Sequence, residues 1–181
     1  MQWPGTKAKV HKLVEAHYAA LYRFAYRLSG QQAEAEDLTQ ETFCQAQAKL
    51  GQLRDWERAR AWLFTILRNA FLHRVRAGKV ENAVALDSVG DVPERGSEPL
   101  AEVDPAQLQQ ALNELPEVFR TPVILFYFED FSYREIADHM AVPLGTVMSR
   151  LARAKAFLRQ RLAPPSEPVT QAARRANDGL S

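Results

Sequence analysis

FSYREIADHMAVPLGTVMSRLARAKAFLRQRL, residues 131–162, decides the fold of this chain. Ser132 followed three residues later by Glu135 is a capping box, which starts a helix. Ile136, Ala137 and Met140 supply its apolar face. Val142-Pro143 predicts the stop, because a residue before proline avoids the α region. Pro143 then suits the first turn of a second helix, where a missing N–H costs nothing. In that helix Val147, Leu151, Ala154, Leu158 and Leu162 form an apolar seam, and Ser149, Arg150, Arg153 and Arg161 lie off it. The pattern is helix, short turn, helix, with an arginine-bearing outer face of the kind that enters a major groove. A plain amphipathic hairpin with a solvated basic face is the alternative.

Composition sets the frame. The chain has 181 residues, 46% hydrophobic and 25% charged, which fits one or two small globular domains. Its net charge of +1 hides a pattern. Residues 1–77 carry 12 Lys/Arg and 7 Asp/Glu, net +5, and residues 78–118 carry 2 and 9, net −7. Residues 119–162 carry 7 and 4, net +3. Two basic blocks around an acidic middle predict two separate surfaces for a polyanion. A single cysteine, Cys44, excludes an internal disulfide and a cysteine-rich zinc site, and suits a reduced, cytoplasmic setting. Cys44 reads as a small buried residue within a helix. No apolar run predicts membrane insertion, and the N-terminus carries no signal-peptide pattern.

Residues 7–77 read as three helices. Val10, Leu13, Val14, His17, Leu21, Phe24 and Leu28 stripe the first, which Ser29-Gly30 ends. Ala35, Leu38, Phe43, Ala46 and Leu50 stripe the second. The third begins near Arg58 or Ala59 and runs to Arg76, with Leu63, Ile66, Leu67 and Ala70 facing inward. On another face Trp62, Asn69, His73 and Arg76 could stack on and hydrogen-bond to exposed bases, unless Trp62 is simply core. Residues 78–104, rich in Asp, Glu, Pro, Ser and Gly, read as a flexible acidic linker. At about 90 Å fully extended, it could span two turns of DNA, roughly 70 Å. Residues 105–162 form the second domain. Asp104-Pro105 opens its first helix, Pro116 and Pro122 divide the stretch after it, and Val123–Phe128 predicts a dense core helix. Residues 163–181 read as a disordered tail. The fold class is all-α: two small helical domains joined by a linker.

Three motifs resemble those of the extracytoplasmic-function (ECF) sigma factors of bacterial RNA polymerase. AEDLTQETF (residues 35–43) is similar to the family's polymerase-clamp segment. ARAWLFTILRNAFLHRVR (residues 59–76) is similar to the region that melts and reads the minus-ten element. LPEVFRTPVILFYFEDFSYREIADHMAVPLGTVMSRLARAK (residues 115–155) is similar to the minus-thirty-five reader. The resemblance implies core-polymerase contacts at Asp37, Gln40, Glu41 and Phe43. It implies a base contact at Asn69, so that Trp62, Asn69, His73 and Arg76 become candidates for the downstream element. Thr146, Met148, Ser149, Arg150 and Arg153 become candidates for the upstream one. It further implies promoter DNA, core RNA polymerase and an anti-sigma protein as partners, with no cofactor. Arg54 and Trp56 fall where the family places a specificity loop, but match no fixed pattern. His73 stands where many members carry aspartate, and Met148 where lysine or arginine is common. Methionine cannot donate to guanine, though it can touch a thymine methyl.

No phosphate loop, metal-binding HExxH or nucleophile elbow predicts an enzyme or a metal site. His11, His17, His73 and His139 are scattered, and His17 reads as a packed residue on an apolar face. The competing function is a two-domain transcriptional regulator with a sensing or dimerising N-terminal domain. That protein would bind palindromic duplex unaided.

Overall fold

A computed structural model describes residues 4–77 and 104–163. Most of the segment read as a linker and nearly all of the tail lie outside them. The first half holds α1 (Pro4–Ser29), α2 (Gln32–Ala48) and α3 (Ala59–Ala77), with short 3-10 turns at Leu50–Gln52 and Trp56–Arg58. The second holds α4 (Pro105–Glu114), α5 (Glu117–Phe128), α6 (Tyr133–Met140) and α7 (Leu144–Leu162). The described residues contain no strand. The fold is two small helical domains, as the periodicity predicts.

In the first domain α1 and α3 pack on α2 and on each other. Leu13, Leu21, Phe24 and Leu28 of α1, Leu38 of α2, and Leu63, Phe64 and Leu67 of α3 are buried. Thr39 and Thr42 are buried too. Each donates its hydroxyl proton to the carbonyl four residues back, Ala35 and Leu38, at 2.7 Å. That local bond removes the cost of burying a hydroxyl.

In the second domain the capping box forms as predicted. The Ser132 hydroxyl accepts from the Glu135 N–H at 3.3 Å, and the Glu135 carboxylate accepts from the Ser132 N–H at 2.8 Å. The stop of α6 has a different cause from the one expected. Ala141 takes a left-handed conformation, φ 53°, and the Val142 N–H bonds the Ala137 carbonyl at 3.1 Å. This is a Schellman ending that usually recruits glycine, and alanine hides it from the sequence. Pro143 is the N-cap of α7 rather than its first residue. Pro122 does not divide the chain; it sits inside α5. Only the first half of the 123–128 run is core. Val123, Ile124 and Leu125 are buried, whereas Tyr127 is 50% exposed, because a helix turns part of any continuous apolar run outward.

The two domains are packed together, which the linker reading did not anticipate. Their buried residues form one cluster, with Phe64 of the first domain, itself packed on Phe24, against Phe131 of the second. The C-terminal end of α1 is capped by side chains of the other domain. Arg120 donates to the Leu28 carbonyl, and Gln109 donates to the Arg27 carbonyl at 3.2 Å. Cations and donors belong there, because the last helical carbonyls have no partner within the helix. Gly30 comes next with φ +72°, and a Cβ on it would lie 2.5 Å from the Asn113 side chain. This is one place where only glycine fits.

Glu129 and His139 occupy the junction. Asp130, φ 55°, turns the chain after α5, and Phe131 N–H closes the turn on the Leu125 carbonyl at 3.0 Å. Glu129 is 1% exposed. Arg60 of α3 donates to its carboxylate at 3.1 Å and to its backbone carbonyl at 2.7 Å. Burial raises the Glu129 pKa, against the opposing pull of Arg23, Arg60 and Arg27. His139 Nδ1 lies 3.1 Å from the Thr65 hydroxyl. That hydroxyl already donates to the Ala61 carbonyl at 2.9 Å, so the imidazole is the donor and its Nδ1 carries the proton. Desolvation, with repulsion from Arg68, lowers the His139 pKa to about 4.

A histidine whose folded pKa lies below its unfolded value resists protonation in the folded state. The stability it contributes is present above about pH 6.5 and is lost as the pH falls towards 4. Glu129 acts in the opposite direction, since its raised pKa favours the fold as acid is added. His139→Gln separates the two. Between pH 7 and pH 4 the wild type should lose about 3 kcal/mol of unfolding free energy beyond any loss in the variant. Urea titrations of both proteins across that range measure the difference, and parallel curves would refute the buried neutral imidazole.

Candidate nucleic-acid interface

Three exposed faces carry the sequence-predicted residues. The first is the outer face of α7. This helix bears Arg150, Arg153, Lys155, Arg159 and Arg161 and no acid. Val147, Leu151 and Ala154 bury its seam. Leu144 and Met148, 46% and 52% exposed, stand outward. Ser149 and Arg153 are exposed, and Thr146 and Arg150 are half-buried. The Ser149 hydroxyl donates to the Thr146 carbonyl at 3.0 Å, so a base would meet its lone pairs first. Arg150 and Arg153 form no ion pair among the described residues, whereas Arg161 is fixed to Glu114 at 2.8 Å. Arg161 therefore ties α7 to α4 and does not belong to the reading face.

One contributor was missed in the sequence. Pro143 offers α7 no side-chain cap. The first intrahelical bonds are made by the N–H groups of Thr146 and Val147 to the Pro143 carbonyl. The N–H groups of Leu144 and Gly145 precede these and point out of the helix end, a ready donor pair for phosphate. The absence of Ser, Thr, Asp or Asn at the cap was the signal available.

The second face lies on α3, which also carries no acid. Asn69, His73 and Arg76 are exposed and share a stripe. Trp62, at the head of that stripe, is half-buried and packs against the core. It lines a cleft between the domains together with Thr65 and His139. The structure thus gathers three of the four residues in the open and partly covers the fourth. Trp56 is exposed in the preceding turn, with the Lys9 ammonium 5.9 Å from its ring centre. That cation–π contact ties the turn to α1. His17 is half-buried, and burial together with Arg60 lowers its pKa.

The third face lies on α2. Asp37 and Gln40 are exposed. Glu41 is partly exposed and engaged, accepting from Arg74 at 2.6 Å and from Gln45 at 2.9 Å. Phe43 is buried, 9% exposed, with its ring stacked 6.3 Å from Tyr18. It supports the helix from inside and keeps little surface of its own beside the exposed Tyr18 ring. Cys44 corrects the sequence reading, for it is exposed. It lies one helical turn beyond Gln40, which places it on the same outer face.

Among the described residues no group of three or more His, Cys, Asp and Glu is placed to hold a metal. None of the described helices is long and apolar enough to cross a membrane.

Known proteins share this arrangement. Residues 13–80 match the sigma-70 region 2 family, and residues 106–158 match sigma-70 region 4. The ECF RNA polymerase sigma factor SigE of Mycolicibacterium smegmatis is 38% identical over 167 residues, 90% of this chain and 65% of that protein. SigL of Mycobacterium tuberculosis is 35% identical over 155 residues, 84% of this chain and 88% of that one. Among solved structures, the sigma factor RpoE of Bartonella quintana, crystallised with the anti-sigma factor NepR, is similar with a TM-score of 0.68. It is 34% identical, and the match covers 84% of this chain and 95% of that one.

Cys44 offers a direct test of the α2 face. A maleimide should label it in the native free protein as fast as in a short peptide, within about tenfold, because the thiol is exposed. Core RNA polymerase, added beforehand, should slow that labelling. Mass spectrometry at timed quenches measures both rates.

Proposed function

The chain belongs to the ECF RNA polymerase sigma factor family, and from that premise we propose that it binds core RNA polymerase and directs promoter-specific initiation in the bacterial cytoplasm. It performs no bond chemistry of its own. Its work is differential binding. The face of α2 around Asp37 and Gln40 holds the polymerase. The outer face of α7 docks in the major groove of the upstream element. The stripe on α3 captures melted bases of the downstream one. Unpairing costs a few kcal/mol per step, and stacking and hydrogen bonds to the freed bases offset it.

The observation that carries this reading is the pairing of two acid-free basic helices, α3 and α7, on separate domains. A regulator that dimerises on a palindrome needs one reading helix per protomer. Two unlike readers in one chain suit two unlike elements. An anti-sigma protein would act as a third partner by covering these same faces. Residues 7–77 and 105–162 form the two working units, divided within the acidic segment.

Asp37 gives the cleaner test of the polymerase face, because reversing Glu41 would also release Arg74. Asp37→Arg should weaken core binding about tenfold or more, as expected for a like charge set against an acid-seeking partner surface, and should leave the helical circular dichroism unchanged. Gel filtration with core enzyme reads the outcome, and unaltered co-elution removes α2 from the interface.

The upstream reader is tested by binding to a randomised upstream element at two salt concentrations. Arg150→Ala and Arg153→Ala should each weaken binding. A base-reading arginine is worth about 1–3 kcal/mol at one base position, whereas a phosphate-gripping one lowers the salt slope by about one. Met148→Arg adds a donor and should change the preferred base beside it. If none of the three substitutions alters affinity or preference, α7 is not the reader.

A further inference from the structure

Helix α3 carries four arginines, Arg60, Arg68, Arg74 and Arg76, and no acid. Three of the four are neutralised by glutamates from other elements. Arg74 takes Glu41 from α2, within its own domain. The other two take theirs from the second domain: Arg60 from Glu129 at 3.1 Å and Arg68 from Glu117 at 2.8 Å. Both pairs exist only while the domains are packed.

The packed form cannot hold two promoter elements at once. A compact body of this size is about 35–40 Å across, and the elements of a sigma-dependent promoter lie roughly two helical turns apart, about 70 Å. The domains must therefore part when both faces are engaged. Parting removes Glu117 and Glu129 and leaves Arg60 and Arg68 uncompensated on a helix already committed to nucleic acid. Arg68 lies about 100° round the helix from Asn69, so it flanks the base-reading stripe, and Arg60 lies on the far side of the helix from that stripe. The two arginines are two turns apart, about 12 Å along the axis, within reach of one short stretch of backbone. A guanidinium fork that fits a carboxylate fits a phosphate equally well.

We propose that Arg60 and Arg68 are a phosphate-binding pair for the melted single strand, and that Glu129 and Glu117 occupy it in the packed form as carboxylate stand-ins. This rests on the sigma-factor reading of α3. Packing and DNA binding then compete for the same two cations. Arg60 is prepared for the exchange, since its guanidinium lies 5.2 Å from the Phe64 ring centre, on its own helix, and keeps that contact when Phe131 leaves.

The test uses the full chain and a fluorescent 20-nucleotide single strand of mixed sequence. Glu117→Gln with Glu129→Gln should bind it more tightly than the wild type. Adding Arg60→Gln and Arg68→Gln should abolish that gain. Each phosphate contact to a single strand contributes about −0.7 to the slope of log affinity on log salt. Between 50 and 200 mM salt the glutamine pair should therefore lose about sevenfold more affinity than the fourfold variant. Equal slopes, or no gain in affinity, overturn the proposal and leave two structural ion pairs.

If circular dichroism shows the glutamine pair unfolded, the same increment is sought elsewhere. Arg60→Gln with Arg68→Gln is then compared with wild type in complexes with core polymerase and a melted-bubble template, and equal salt slopes again overturn the proposal. Failure of the sigma reading shows separately, as no binding to core polymerase, while the oligonucleotide measurement stays readable.

Discussion

A carboxylate buried where two domains meet governs this molecule. Glu129 is almost without solvent, and an unpaired charge in such a place costs several kcal/mol. The fold offsets part of that cost with arginines drawn from the other domain, while one carboxylate oxygen, Oε1, has no hydrogen-bond partner. Arg60 of α3 pairs with it directly, and the positive charges of Arg23 and Arg27 of α1 act on it from further off. Two of those arginines also lie against aromatic rings beside the carboxylate, Arg27 at 4.1 Å from the Phe128 centre and Arg60 at 4.9 Å from that of Phe131. This demand and the apolar cluster that the two domains share together hold the helices in place. Removing one partner of such a pair leaves the other charge buried and uncompensated, which makes the junction costly to disturb piecemeal.

The parts legible in the sequence were those with short-range signatures. The capping box at Ser132 and Glu135, the seam Val147–Leu151–Ala154, and the N-cap at Asp104 all declare themselves within four residues, and all are present. Elements ruled by a partner were not legible. Pro122 looks like a breaker, yet sits inside α5 with its ring buried in the core, where packing outweighs the one helical bond it forgoes. Phe43 and Cys44 are neighbours with opposite exposure, and the periodicity of α2 did not decide between them, since two buried threonines widen its inner face. The ion pairs between the domains join residues 49 and 69 apart. No local pattern encodes a partner at that distance.

The candidate faces differ in how the packed form treats them. The outer face of α7 and the exposed side of α2 are open to solvent, whereas Trp62 is half-covered in the interdomain cleft. Asn69, His73 and Arg76 are open as well, so the packed form covers only the Trp62 end of the α3 stripe.

Gly30 acts as a steric gauge between the domains. It ends α1 in a left-handed turn and lets the Asn113 side chain, which accepts a hydrogen bond from Gln109 at 2.9 Å, approach its Cα. Any side chain there would push Asn113 away while leaving the interior of each domain untouched. A substitution at residue 30 would strain the left-handed turn and displace the exposed Asn113 amide while touching neither reading helix, so this contact can drift separately from the choice of promoter.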